Sequence, residues 1–260
     1  MSNKTTIALI CAVILALSAS CSKASGPQAS SGQASVYVSA PVSMREPLEQ
    51  LTAQYNESNP QTLIKLNYAS PQTLESQIRI GAKIDLFVCE IQSMVDSLHL
   101  DGLTVESSQV ALFKNHTVLF VPKGNDLGIA SFDTLLSDRV GKIAVADKEK
   151  QASGYFANRA IAFIDSEDSL AGKIVYKDSA NEAVLAVELG EADAGISFYS
   201  DIHAAKSLEA IAISPEEAIY TASVVSASEN QSAAEAFALF IGSEASLGLF
   251  YSYGFKPLYN

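Results

Sequence analysis

The sequence predicts two α/β lobes joined by two long strands, and three observations carry that prediction. Strand-like and helix-like segments alternate from residue 35 onward, a βαβαβ rhythm that suits an open, mainly parallel sheet. A long strand-like stretch over 110–121 then stops at the turn-like Pro122-Lys123-Gly124-Asn125. After it a second α/β set begins, and a late strand over 219–225 returns before two closing helices.

In the first set, residues 35–40 read as a strand that ends in a loop. A helix over 47–56 places Leu48, Leu51 and Tyr55 on one face. The next strand covers 63–68, and Ser70-Pro71 opens a helix that runs to Gly81, with Ser70 a good N-cap and Pro71 a good first helical residue. A third strand over 84–89 and a helix over 91–98 complete the set. The second set reads as a strand over 142–146, a helix over 154–163, a strand over 173–176, a helix over 180–189 and a strand over 194–198. The closing helices cover 232–241 and 244–253. No internal repeat, heptad pattern or span of transmembrane length follows the first 20 residues.

Those first residues have their own pattern. Lys4 precedes an apolar run over 7–17, which is too short for a permanent membrane helix and reads as a signal peptide over 1–20. Leu17-Ser18-Ala19-Ser20 leads directly into Cys21, so the segment resembles a bacterial lipoprotein signal with Cys21 as the acylated new N-terminus. An ordinary secretory signal with a coincidental cysteine is the alternative. Residues 21–34 are rich in Ser, Ala, Gly and Gln and predict a flexible tether. The expected location is the cell envelope, lipid-anchored outside the cytoplasmic membrane.

The formal charge of −12, with no basic run, argues against a nucleic-acid partner. A hydrophobic fraction of 48% is enough for a sizeable core. Of three cysteines, Cys11 lies in the signal and Cys89 stands alone in the apolar run Asp85-Leu86-Phe87-Val88-Cys89, where it reads as a small buried hydrophobe.

Enzyme chemistry finds little support. His99, His116 and His203 are isolated and lack metal-ligand spacing. Gly195-Ile196-Ser197-Phe198-Tyr199 begins like a nucleophile elbow but lacks the closing glycine. What recurs is a strand running into a helix whose first turn carries small hydroxyl or amide residues: 39–46, Ser70-Pro71-Gln72-Thr73, Ala152-Ser153-Gly154 and Ser179-Ala180-Asn181-Glu182. Helix N-termini hold unpaired N–H groups and partial positive charge, so several converging on one cleft suit an anion.

Several segments resemble the periplasmic molybdate-binding proteins of ABC importers, within the type II solute-binding fold. They are Ala69-Ser70-Pro71-Gln72-Thr73-Leu74, Gly81-Ala82-Lys83-Ile84-Asp85-Leu86-Phe87, Ile143-Ala144-Val145-Ala146-Asp147 and Gly154-Tyr155-Phe156-Ala157. Gly195-Ile196, Ser200-Asp201 and Tyr253-Gly254-Phe255 extend the likeness to the C-terminal end. The resemblance implies a two-lobed periplasmic-binding-protein-like fold with a central cleft and a two-strand hinge. Lobe one is expected over 35–113 plus 223–260, and lobe two over 114–222.

It also implies a tetrahedral oxyanion, molybdate or tungstate, held by hydroxyls and backbone N–H groups. The family's ligand positions fall on Ser43, Pro71, Ser153, Ala180 and Phe198. Pro71 offers neither hydroxyl nor N–H and Phe198 has no hydroxyl, so donors are missing. Ser70, Gln72 and Asn181 are placed to rebuild the shell, and Tyr199 adjoins Phe198 but would face the other way in a continuing strand. The expected protein is a monomeric solute-binding lipoprotein that works with an ABC permease, uses no cofactor and catalyses no reaction. Two alternatives stand beside it: the same scaffold with another small anion or polar organic ligand, and an envelope interaction lipoprotein that binds no solute.

Overall fold

The first set of elements follows the expected rhythm: β1 (Ala34–Pro41), α1 (Arg45–Ser58), β2 (Thr62–Ala69), α2 (Pro71–Arg79), β3 (Leu86–Cys89) and α3 (Gln92–Leu100). This computed structural model describes residues 33–165 and 168–259. The expected signal peptide, Cys21 and residues 21–32 of the tether lie outside that range. Ala34, assigned to the end of the tether, instead opens β1 and pairs with Thr62.

The second set comprises β4 (Val110–Pro122), β5 (Ile143–Ala146), α4 (Ala152–Ile164), β6 (Ile174–Lys177), α5 (Ala180–Glu188) and β7 (Ala194–Phe198). A short α6 (Tyr199–Ile202), β8 (Leu208–Val224), α7 (Gln231–Ile241) and α8 (Glu244–Ser252) complete the chain. All strands join one sheet in the order β2-β1-β3-β8-β4-β7-β5-β6.

That order explains how two halves arise. β4 and β8 pair antiparallel along most of their length, from Val110↔Ala222 to Pro122↔Leu208. β3 joins one end of β8, through Leu86↔Val224, and β7 joins the opposite end of β4, through Thr117↔Phe198. The parallel pairs β1–β2 and β1–β3 extend the first half, and β5–β6 with β5–β7 extend the second. The sheet is therefore more mixed than the alternating rhythm predicts, because its three central pairings are antiparallel. Gln33–Asn260 form one compact unit that contains both halves.

The largest departure from expectation is β8, which starts at Leu208 rather than near residue 219. Pro215 lies inside this strand. The register skips between Glu217, opposite His116, and Ile213, opposite Val118, so the proline sits where the ladder is interrupted. Proline is tolerated at such a bulge because no ladder N–H is needed there.

Most of the apolar packing divides between the halves, although Ala152, Phe156 and Phe198 of the second join the cluster of the first. Val36, Val38 and Ala40 of β1, Leu48 and Leu51 of α1, and Phe237 of α7 belong to one buried cluster. Ile143, Val145 and Ile196 anchor a second cluster, and Phe120, Ala144 and Val187 a third. The motif residue Asp85 is 2% exposed and acts as a clamp within the first half. Its carboxylate accepts from Tyr37 N–H at 2.8 Å, from Ser228 Oγ at 2.6 Å and from Asn230 Nδ2 at 3.3 Å.

Two glycines are required by close approach. A Cβ on Gly154 would lie 2.3 Å from the Ala146 carbonyl oxygen, so only glycine lets α4 start this close to the end of β5. A Cβ on Gly195 would meet the Phe120 ring at 2.2 Å.

Candidate functional site

The carboxyl ends of β1, β2, β5, β6 and β7 run into helix starts, and these converge on one cavity of about 410 Å³. Ser43, Ser70 and Pro71 line it from the first half, and Ser153, Ala180 and Asn181 from the second. Ligands of open α/β sheets bind outside such strand ends.

The chemistry of the wall follows from the helix starts. Ser70 caps α2 by accepting from Thr73 N–H at 3.3 Å, and Pro71 occupies the first helical position. Ser179 caps α5 by accepting from Glu182 N–H at 3.2 Å. Gln151 precedes α4 without a side-chain cap. The first N–H groups of α4 and α5, at Ala152-Ser153 and Ala180-Asn181, fall outside their own helical ladders. They present partial positive charge to the cavity.

A polar chain runs across the hinge strands. Ser43 Oγ and the Tyr220 hydroxyl are 2.9 Å apart. Tyr220 also contacts the Asn115 side chain, which donates to Ser200 Oγ at 2.8 Å. Tyr220 is fully buried, and burial drives its phenol pKa well up, so it remains a neutral hydroxyl that orients Ser43.

Six of the eight expected ligand residues reach the cavity: Ser43, Ser70, Ser153, Ala180, Asn181 and Phe198. Phe198 is 1% exposed and packs on Phe156 with ring centroids 5.6 Å apart. Gln72 and Tyr199 are not among the lining residues. Gln72 instead reaches over to the second half, where its Nε2 lies 3.4 Å from the Lys148 carbonyl. The strand does not continue through Tyr199: β7 ends at Phe198, and Tyr199 opens α6 with its ring under Lys256 Nζ at 4.4 Å.

Asp201 fixes that corner. Its carboxylate accepts from Ser197 Oγ and from Phe198 N–H at 3.1 Å, while burial raises its pKa to about 6. Ser197 is 0% exposed and held by Asp201, so the elbow-like sequence offers no accessible nucleophile. Cys89 is buried as expected, and burial raises its thiol pKa. Among the described residues, no group of three or more His, Cys, Asp or Glu is placed to hold a metal ion.

Sequence reasoning missed Tyr220 and, more importantly, Glu90. Glu90 follows the all-buried strand Leu86–Cys89, lines the cavity and is 1% exposed. Neither of its carboxyl oxygens has a hydrogen-bond partner. A charged residue at the carboxyl end of an all-apolar strand was the available signal.

The model for bacterial extracellular solute-binding proteins matches residues 36–256. The chain belongs to that family. A Bacillus subtilis protein assigned as an ABC transporter substrate-binding lipoprotein, YvgL, is 27% identical, over 98% of this chain and 99% of its own length. The molybdate-binding protein ModA of Haemophilus influenzae is 26% identical, over 86% of this chain and 90% of its own. A solved substrate-binding domain, assigned to a molybdenum ABC transporter of Clostridium difficile, superposes with a TM-score of 0.72. It is 27% identical, over 86% of this chain and 99% of that one. These relatives are substrate-binding components of transporters rather than enzymes. The chain is accordingly an extracytoplasmic solute-binding protein of an ABC transporter, and such proteins deliver a small ligand to a membrane permease.

Proposed function

We propose that this protein captures a tetrahedral oxyanion, molybdate or tungstate, in the cleft and that Cys21 carries its lipid anchor. One observation carries the ligand reading: three helix starts and the Tyr220-held hydroxyl of Ser43 converge on one cavity. Uncapped N–H groups and small hydroxyls are the chemistry that solvates an oxyanion without a bound countercharge. Relatives named for molybdate support the same choice.

In this reading Ser43, Ser153, Ala180 and Asn181 contact the anion, and Ser70 acts through the α2 cap. Residues 35–113 with 223–260 move as one lobe against 114–222. The β4–β8 pair bends between them, with Gln72 bridging to Lys148 when the cleft is shut. A ligand that touches both walls favours the closed state, which the permease recognises. The protein works as a monomer. Equilibrium dialysis against molybdate, tungstate, sulfate and phosphate tests the ligand. Selective retention of molybdate and tungstate, lost in a Ser43→Ala/Ser153→Pro double variant, is the expected result, whereas no selectivity among the four contradicts it. Incorporation of labelled fatty acid, lost in Cys21→Ala, tests the anchor.

Pro71 and Phe198 favour a second reading in which another small anion or a polar organic ligand occupies the same cleft. Retention of sulfate or phosphate in preference to molybdate would select it.

A further inference from the structure

The cavity contains an acidic group that an anion site ought to exclude. Glu90 lines it, is 1% exposed, and has no hydrogen-bond partner on either carboxyl oxygen. Its own backbone N–H is the one group that favours its charge. A buried carboxylate without donors is strongly disfavoured, and a buried carboxylate beside a dianion is more so. A protonated carboxyl in the same place has the opposite value, since it is a hydrogen-bond donor that needs an acceptor. The wall is short of donors at two points, where Pro71 has no N–H and Phe198 no hydroxyl.

We propose that Glu90 is a ligand-binding residue that acts as a neutral carboxylic acid and donates its proton in a hydrogen bond to the bound oxyanion. The bond forms between Glu90 O–H and an anion oxygen. The proton stays on the carboxyl, and no covalent bond is made or broken. The site therefore takes a fully deprotonated tetrahedral dianion together with one proton. This rests on the oxyanion reading and adds the residue that compensates the lost donors.

The surrounding charges fit. Burial raises the Glu90 pKa to about 8, so the empty site already holds its proton at neutral pH. Arg45, Glu46, Lys150, Asp201, His203 and Tyr253 are the other ionisable side chains on the lining. Arg45 pairs with Glu49 and stacks over Tyr68, and Lys150 pairs with Asp147 and Asp178. Both cations are therefore engaged away from Glu90. Asp201, raised to about 6, titrates below Glu90. Tyr220 and Cys89 sense the Glu90 charge, and both are held neutral by burial.

Isothermal titration of the whole protein with molybdate, in buffers of different ionisation enthalpy, reads affinity and proton uptake together. The expected wild-type affinity is flat below about pH 7 and falls towards tenfold per pH unit above about pH 8, with uptake approaching one proton per anion there. Glu90→Gln keeps an N–H donor. Its neutral-pH affinity should stay within about tenfold of wild type, with a flat pH profile and no proton uptake. Zero uptake or proton release in the wild type above about pH 8 overturns the proposal, and so does an unchanged pH slope in Glu90→Gln. A site that binds phosphate but neither molybdate nor tungstate also overturns it, because that anion brings its own proton. If no oxyanion binds even at about pH 6, where Glu90 is protonated, the oxyanion reading itself fails.

Discussion

Asp85 and Glu90 stand five residues apart, just before and just after β3, and are buried to 2% and 1% exposure. Asp85 receives hydrogen bonds from a backbone N–H, a hydroxyl and an amide drawn from two distant parts of the chain. Glu90 receives none from another residue. Equal burial with opposite satisfaction separates an acid that holds the frame from one whose partner comes from outside. The first end of the strand faces the core of one half, and the second faces the cleft.

The sharpest way to break the comparison is Asp85→Ala. It leaves the half-buried Tyr37 N–H and Ser228 hydroxyl without that acceptor and Asn230 Nδ2 with the Ser35 carbonyl alone, so the expected loss is about 3–5 kcal/mol of stability. Denaturant unfolding measures it. Glu90 should behave oppositely and through pH. Its folded pKa of about 8 exceeds the ordinary 4.5, so the native state holds the proton that the unfolded state releases. The Glu90 contribution to stability is therefore full below about pH 4.5 and declines as pH rises to about 8, by up to roughly 5 kcal/mol. Glu90→Gln should remove that decline from the pH dependence of the unfolding midpoint.

Gly154→Ala tests whether the α4 start must lie this close. The intruding Cβ should cost about 2–3 kcal/mol and weaken anion binding beyond the stability effect. Ser43→Ala leaves the buried Tyr220 hydroxyl without that partner, for about 1–2 kcal/mol of stability, with a drop in affinity that dialysis can follow. Gln72→Ala should be the mildest change, below about 0.5 kcal/mol, because its bond to Lys148 is long and exposed. A large loss there would mean that the bridge holds the cleft shut.

Local signals were the most legible in the sequence. The Ser70 cap and Pro71 at the start of α2 depend on neighbouring residues alone, and both appear where expected. β8 extends beyond the 219–225 pattern because its earlier residues pair with β4 across a bulge, which the sequence does not display. Six of the candidate site residues reach the cavity because each sits beside a helix start, a feature that spacing reveals. Gln72 and Tyr199 fall outside the lining for a different reason: whether a side chain faces the cavity depends on where its element ends. The roles of Asp85 and Glu90 were hidden, since the Asp85 partners Ser228 and Asn230 lie 143 and 145 positions away. Burial without a partner is visible only in three dimensions.

The account depends most on the cleft being an anion site. Thermal unfolding of the purified protein near neutral pH, with molybdate, tungstate, sulfate and phosphate in turn, tests that claim directly. A ligand that binds only the folded state raises the midpoint in proportion to the logarithm of its concentration. The account predicts such a rise with molybdate and tungstate, and no shift with any of the four anions would contradict it.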